Sequence, residues 1–276
     1  MSAKVSAHRD PASFRLGEAL HVLARAECDT IDRALGRSRD RHRAVHRARK
    51  AIRSLRAIMA LLGPVSGEQA TWVDKELKSL ALELSPLRDA HVAVAVAEKL
   101  AGDEPSSAWH RVAHLLVARR NRLLRQTLLQ DPAFAGRRAR LQQIASALDA
   151  LRWDSITIGL VERALEQSEN RVHRAARRAR HKGTAACMHR WRRRARRQRL
   201  QIDAARRACK PQAGLLKRLS KEGKTSARLK RLADQLGWRQ DLEVMRSLLD
   251  DLPDASLPLA ELRKQLRRAM RGGSVS

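Results

Sequence analysis

The chain has 276 residues, with 58 Lys and Arg against 29 Asp and Glu, for a formal net charge of +29 at pH 7. Hydrophobic residues make up 43%, enough for a packed core, which argues against wholesale disorder. So large a positive excess opposes compaction unless an anion offsets it, so the expected partner is an acid: nucleic acid, an anionic membrane surface or another polyanion.

Ala, Leu, Arg, Glu and Lys dominate, Tyr is absent and Phe occurs twice. These are helix formers, and period-two runs of β-branched and aromatic residues are missing, so the expected fold class is all-α. Asp10-Pro11 opens the first predicted helix, carried by Phe14, Leu16, Leu20, Leu23, Ile31 and Leu35 to about residue 36. Predicted helices follow at about 39–62, stopped by Gly63-Pro64, at 67–84, ending before Pro86, and at 87–101. The GDEPSS turn at 102–107 precedes helices at about 109–130 and, after Asp131-Pro132, to 151. Further helices are predicted at about 155–181, 184–209, 212–236 and 237–250, with a short one at 257–271. Short connections between helices favour antiparallel bundles.

No apolar stretch reaches the length of a membrane span, and the opening MSAKVSAHRDPASFR lacks an apolar signal core. Cys28, Cys187 and Cys209 form no CxxC pair. The expectation is a soluble cytoplasmic protein with reduced thiols.

One internal repeat is visible. His46, Arg49, Lys50, Arg53 and Arg56 align with His189, Arg192, Arg193, Arg196 and Arg199. A second landmark follows each copy, SPLRDAHV at 85–92 and GWRQDLEV at 237–244, aligning Asp89 with Asp241 and Val92 with Val244. Matched landmarks in the same order indicate duplicated helical units, 1–150 and 151–276.

The fragment HRAVHRARKAIRSLR, residues 42–56, holds two histidines and six Arg or Lys. At 100° per residue, His46, Arg49, Arg53 and Arg56 fall within about 80°, with Arg39 and His42 on the same arc. Ala48, Ile52, Leu55, Met59 and Leu62 lie opposite, so one stripe is cationic and the other apolar. In the second copy His189, Arg192, Arg193, Arg196 and Arg199 share a face, with Trp191, Ala195, Ile202 and Cys209 opposite and Gln198 where the first copy has Leu55. The preceding helix adds His173, Arg174, Arg177 and Arg180. From 171 to 210 there are sixteen Arg or Lys and one acid, Asp203. A solvated helix face mixes signs, because like charges one turn apart cost a few tenths of a kcal/mol each. Carrying that cost twice points to a bound anion.

Arg presents a planar fork that matches phosphate oxygens, and arginines three or four apart stand about 5.4 Å apart along the axis. A linear polyphosphate can meet such forks in succession. Histidine adds a donor, and a charge once phosphate raises its pKa. Nucleic acid satisfies the same cations, but with 3% aromatic residues a base-stacking platform is poorly supplied.

AVHRARKAIRSLRAIMALL resembles the signature helix of the CHAD domain, the conserved histidine α-helical domain, whose pattern is carried here by His46, Arg49, Arg53, Leu55 and Arg56. LRDAHV at 87–92 is similar to that family's Leu-x-x-Arg-Asp-x-x-Val element. MHRWRRRARRQR at 188–199 and QLGWRQDLEV at 235–244 resemble second copies of both, and NRVHRAARRARHKG at 170–183 resembles the basic helix before the second His motif. The resemblance spans nearly the whole chain. It implies two antiparallel four-helix bundles related by a pseudo-twofold axis, with additional short helices, around a basic central groove that binds inorganic polyphosphate. The implied site is Arg39, His42, His46, Arg49, Lys50, Arg53, Arg56, His173, Arg174, Arg177, Arg180, His189, Arg192, Arg193, Arg196 and Arg199, with recruitment to polyphosphate granules. Lys50 and Gln198 depart from the family pattern, where apolar residues are usual. Some members add a triphosphate-tunnel domain with an ExExK motif, which this sequence lacks. Nucleic-acid binding is the alternative, and a polyphosphate-metabolising enzyme the third reading.

No catalytic fingerprint accompanies these stripes: there is no P-loop and no GxSxG. His110 and His114 have helical metal-ligand spacing but no third ligand nearby, and read as a chance pair on an exposed face. Asp89 and Asp241 read as helix caps or arginine partners rather than metal ligands. Arg88 is left out of the site because its counterpart is Gln240. The five tryptophans, Trp72, Trp109, Trp153, Trp191 and Trp238, read as core. No cofactor and no metal are expected.

Overall fold

A computed structural model describes residues 11–36, 38–63, 67–209, 213–252 and 257–272, and among these there are helices and no strand. The helices are α1 (Pro11–Gly36), α2 (Arg41–Met59), α3 (Gly67–Glu83), α4 (Ser85–Ala101), α5 (Ala108–Gln130), α6 (Ala135–Asp149), α7 (Ile158–Lys182), α8 (Ala185–Ala208), α9 (Ala213–Asp250) and α10 (Leu259–Gly272). Asp10 and Pro64 lie outside the described residues.

Local chemistry sets the ends. Asp40 caps α2, accepting from Arg43 N at 3.0 Å, so the helix begins at Arg41 and Arg39 stands in the connection before it. Thr157 and Thr184 cap α7 and α8 in the same way. The helix expected over 131–151 is interrupted by a 3-10 turn at Pro132–Phe134. There Ala133 and Phe134 take positive φ values of 51° and 55°. That conformation costs about 1–2 kcal/mol per residue, and the complete burial of the Phe134 ring offsets it. The two helices expected over 212–250 are one, α9, running through Gly237. A glycine inside a helix lowers its stability by about 0.5–1 kcal/mol without breaking it.

Three apolar clusters hold these helices together. The first joins α1, α2, α3 and α6 with the start of α7 and the end of α8. Ala48, Ile52, Leu55, Met59 and Leu62 are all buried in it, as the α2 apolar stripe requires. Full burial of each large aliphatic side chain contributes about 1.5–3 kcal/mol. Gly17 belongs here for a steric reason: a Cβ on it would stand 1.9 Å from the Trp153 carbonyl oxygen, so the chain crosses α1 where only a hydrogen fits. The second cluster packs α4 and α5 against the distal end of α9 and against α10, with Trp109 fully buried and its indole donating to Gln265 Oε1 at 2.6 Å. The third is small and joins α7, α8 and α9 through Val172, Ala195, Ile202 and Leu229. The second cluster therefore combines helices from both sides of residue 150.

Not every tryptophan is core. Trp109 and Trp153 are buried, Trp191 and Trp238 are half-buried, and Trp72 is 39% exposed. Cys28, Cys187 and Cys209 are free thiols. No helix among the described residues is long and apolar enough to cross a membrane.

Candidate anion-binding site

The two basic helices of the repeat, α2 and α8, pack against each other. Their approach is close because the buried face of α8 is built largely of alanine: Ala195, Ala204, Ala205 and Ala208. Gln198 is 4% exposed in the position equivalent to Leu55, so the core seat is kept although the residue is polar.

At this seam, residues that the repeat makes equivalent meet each other. Arg53 is pushed down to about 9, first by burial and then by the charges of Arg196, Arg49, Arg88 and Arg192. Arg196 is pushed down to about 10, again by burial first and then by Arg192 and Arg88, with Asp234 opposing. Neither arginine has an ion-pair or hydrogen-bond partner among the described residues. Guanidinium stays charged at any ordinary pH, so these shifts measure how unfavourable the cations are where they stand. An anion seated between them relieves both burial and repulsion.

The flanking arginines are held by matching hydrogen bonds in the two copies. Arg49 Nη1 donates to the Ala81 carbonyl and to Ser85 Oγ, the latter at 2.7 Å. Arg192 Nε donates to the Ala233 carbonyl at 3.2 Å and its Nη1 to Gln240 Oε1 at 2.8 Å. The register that pairs Asp89 with Asp241 also pairs Ala81 with Ala233 and Ser85 with Gly237. Gly237 has a use: a Cβ there would lie 2.4 Å from Arg192 Nη2, so the guanidinium rests on bare helix backbone. His189 Nδ1 donates to the same Gln240 oxygen at 2.7 Å. Arg192 can only donate, which fixes that atom as the amide oxygen and puts the proton of His189 on Nδ1.

A wall of histidines continues the seam on the first-repeat side. His42 on α2 and His91 on α4 stack with ring centroids 6.0 Å apart and planes 3° from parallel. Burial holds His42, His46 and His91 below the ordinary histidine value. The next cause is positive charge, from Arg120 for His42 and His91 and from Arg53 for His46. The acids nearby are few. Asp89 Oδ1 lies 3.1 Å from Arg88 Nε, an ion pair without hydrogen-bond geometry. Asp241 is raised, by burial first, against the lowering effect of Arg192, Arg88 and Arg196. Both aspartates thus act as counter-ions to arginine, and no group of three or more His, Cys, Asp or Glu among the described residues has metal-holding geometry.

The structure brings together His42, His46, Arg49, Arg53, His189, Arg192 and Arg196. Others of the expected set lie elsewhere. Arg56 is engaged by Asp74 of α3 through two bonds, at 2.8 and 3.0 Å. Arg199 pairs with Asp203 at 3.6 Å and, with Lys50, lines a separate concavity of about 790 Å³ between α1, α2 and α8. His173, Arg174, Arg177 and Arg180 line a surface hollow of about 490 Å³ on α7. Arg193 and Arg39 are exposed, and the charge of Arg193 acts on Arg194. Sequence reasoning missed Arg88, which acts on Arg49, Arg53, Arg192, Arg196 and His46 at once. It also missed His91, although its motif was quoted, and Arg120, for which no signal existed.

The model of the CHAD-domain family matches residues 16–250. Among solved structures, the crystal structure of the CHAD domain from the plant Ricinus communis is similar over 99% of this chain and 90% of that chain, at 19% sequence identity and a TM-score of 0.65. At that identity the likeness is one of fold. No curated protein matches the chain.

Proposed function

Because the chain belongs to the CHAD-domain family, we propose that it binds inorganic polyphosphate at the seam between α2 and α8, without catalysing a reaction, and that this binding recruits it to polyphosphate granules. The observation that carries the reading is the pair Arg53 and Arg196, two half-buried cations from equivalent helices; the charge of Arg196 acts unfavourably on Arg53, and neither forms an ion pair among the described residues. Such a pair is costly alone and favourable around an anion. Arg49, Arg88 and Arg192 surround it, so consecutive phosphates meet forks rather than isolated point charges. Base stacking is poorly supplied, since aromatic residues make up only 3% of the chain.

Titration of the purified chain with polyphosphate, DNA and RNA at equal phosphate concentration tests the proposal. Polyphosphate should displace both nucleic acids, and affinity should fall steeply with salt as counterions are released. The informative variant is Arg53→Glu with Arg196→Glu, because neither side chain holds the backbone as Arg49 and Arg192 do. It should lose polyphosphate binding and keep its helical circular dichroism. Full affinity in that variant, or preferential displacement by DNA or RNA, overturns the reading.

A further inference from the structure

The scaffold is duplicated but its charge is not. In the registers of the repeat, His42 corresponds to Ala185, Arg88 to Gln240 and His91 to Glu243. Each of these three changes removes a cation or a protonatable ring from the second repeat, and one adds an acid, whose carboxylate lies 3.9 Å from Arg239, itself the counterpart of Leu87. On the first-repeat side the same positions form a continuous series. Arg53 and Arg88 act on His46, and so does His91. His91 stacks on His42. Asn121 Oδ1 then accepts from His42 Nε2 at 3.1 Å and from Arg120 Nε at 3.3 Å, fixing His42 beside the α5 arginine.

Resting on the polyphosphate reading above, we propose that the bound polymer leaves the seam across His46, His91 and His42 to Arg120 on α5, and not past the equivalent second-repeat positions Ala185, Gln240 and Glu243. The series is cationic on balance. Arg88 and Arg120 face it from α4 and α5, and Arg53 and Arg43 from α2, with the more distant charge of Lys50 acting on His46, while Asp40 acts on His42 and His91 and Glu98 on His91. In the free protein burial and those cations disfavour the charged form of the rings. A phosphate chain laid over them reverses that balance, so the rings take up protons as the chain binds, and long-chain affinity rises as pH falls.

The test is calorimetric titration of the full chain with tripolyphosphate, which spans only the seam, and with long-chain polyphosphate, at about pH 6 and about pH 8. The variants are His91→Gln with Arg120→Gln and, at the opposite end, Glu243→Gln, each checked for an unchanged urea midpoint. The double variant should bind the long chain roughly tenfold more weakly at the lower pH, as loss of a charged hydrogen bond and a protonatable donor implies. Its salt slope should fall by about one, its gain on acidification should shrink, and tripolyphosphate binding should stay. Glu243→Gln should match the parent throughout. A double variant that keeps parental long-chain affinity and pH dependence sinks the one-sided exit while leaving the seam intact. So does a Glu243→Gln variant that binds the long chain more tightly. If the parent binds neither polymer, the polyphosphate reading falls and the exit with it.

Discussion

Replacing Arg53 by Met should stabilise the fold while weakening anion binding. The guanidinium is pushed well below the ordinary arginine value, to about 9. At 1.36 kcal/mol per unit, that bounds the cost of keeping it charged at roughly 5 kcal/mol. The same conversion for Arg196, pushed down to about 10, gives roughly 3 kcal/mol. Both are upper bounds, because water and side-chain motion screen part of the cost, and replacement of buried ions by apolar groups of similar size typically gains about 1–4 kcal/mol. The expected gain for Arg53→Met is therefore about 1–3 kcal/mol at pH 7. Because the guanidinium stays charged at any ordinary pH, this cost is present throughout that range, and the advantage of the variant should be the same at about pH 6 and about pH 8. Because the two arginines repel each other, the double variant Arg53→Met with Arg196→Met should gain less than the sum of the single gains. Urea denaturation is the right assay, since guanidinium chloride is itself a salt that screens the effect. Adding polyphosphate should raise the urea midpoint of the parent and leave that of the double variant unmoved. Destabilisation by Arg53→Met beyond about 0.5 kcal/mol, the ordinary range of a neutral surface change, would refute the argument, since it would mean the guanidinium already has a favourable partner.

Gly237→Ala places a methyl group where the Arg192 guanidinium rests; the thermal midpoint should hold or rise slightly, because a helix gains about 0.5–1 kcal/mol from the exchange, while polyphosphate affinity falls in titration. Gly17→Ala meets a backbone carbonyl rather than a flexible side chain, so urea denaturation should show a loss of about 1–3 kcal/mol or more. Arg56→Gln removes a half-exposed pair with Asp74, and should cost at most about 1 kcal/mol in the same assay with no change in polyphosphate affinity. Burial pushes the Cys28 thiol up to about 12 and the Cys209 thiol up to about 11, so a thiol reagent at neutral pH should label Cys187 in the native chain and reach the other two only in denaturant.

Much of this molecule is legible in its sequence. The α2 stripe was clear because its apolar and cationic residues are segregated at helical period, and burial of Ile52, Leu55 and Met59 follows directly. The repeat register was equally informative, since the hydrogen bonds of Arg49 and Arg192 end on carbonyls that this register makes equivalent. What escaped was pairing between helices distant in sequence. Arg56 sits on the cationic arc, but nothing in its own helix shows that Asp74 stands across from it. Arg88 was discounted through the repeat, because its partner position holds Gln240. Yet Gln240 binds Arg192 and His189, so the two copies use one position for different tasks. Gly237 stands at the expected boundary between helices over 212–236 and 237–250; its missing Cβ instead serves a neighbouring side chain within an unbroken helix.

The core shared by α4, α5, the distal part of α9 and α10 has a consequence for how the chain can be cut. A fragment ending at Asp149 would expose the side of α4 and α5 that the C-terminal helices cover, and would be expected to self-associate. Supplied together, the two fragments should find each other, because each completes the other's unfinished interior. Because α4 packs on α2 and α9 on α8, the helices that carry Arg53 and Arg196 are joined to one core drawn from both halves of the chain, so the spacing between those cations depends on both.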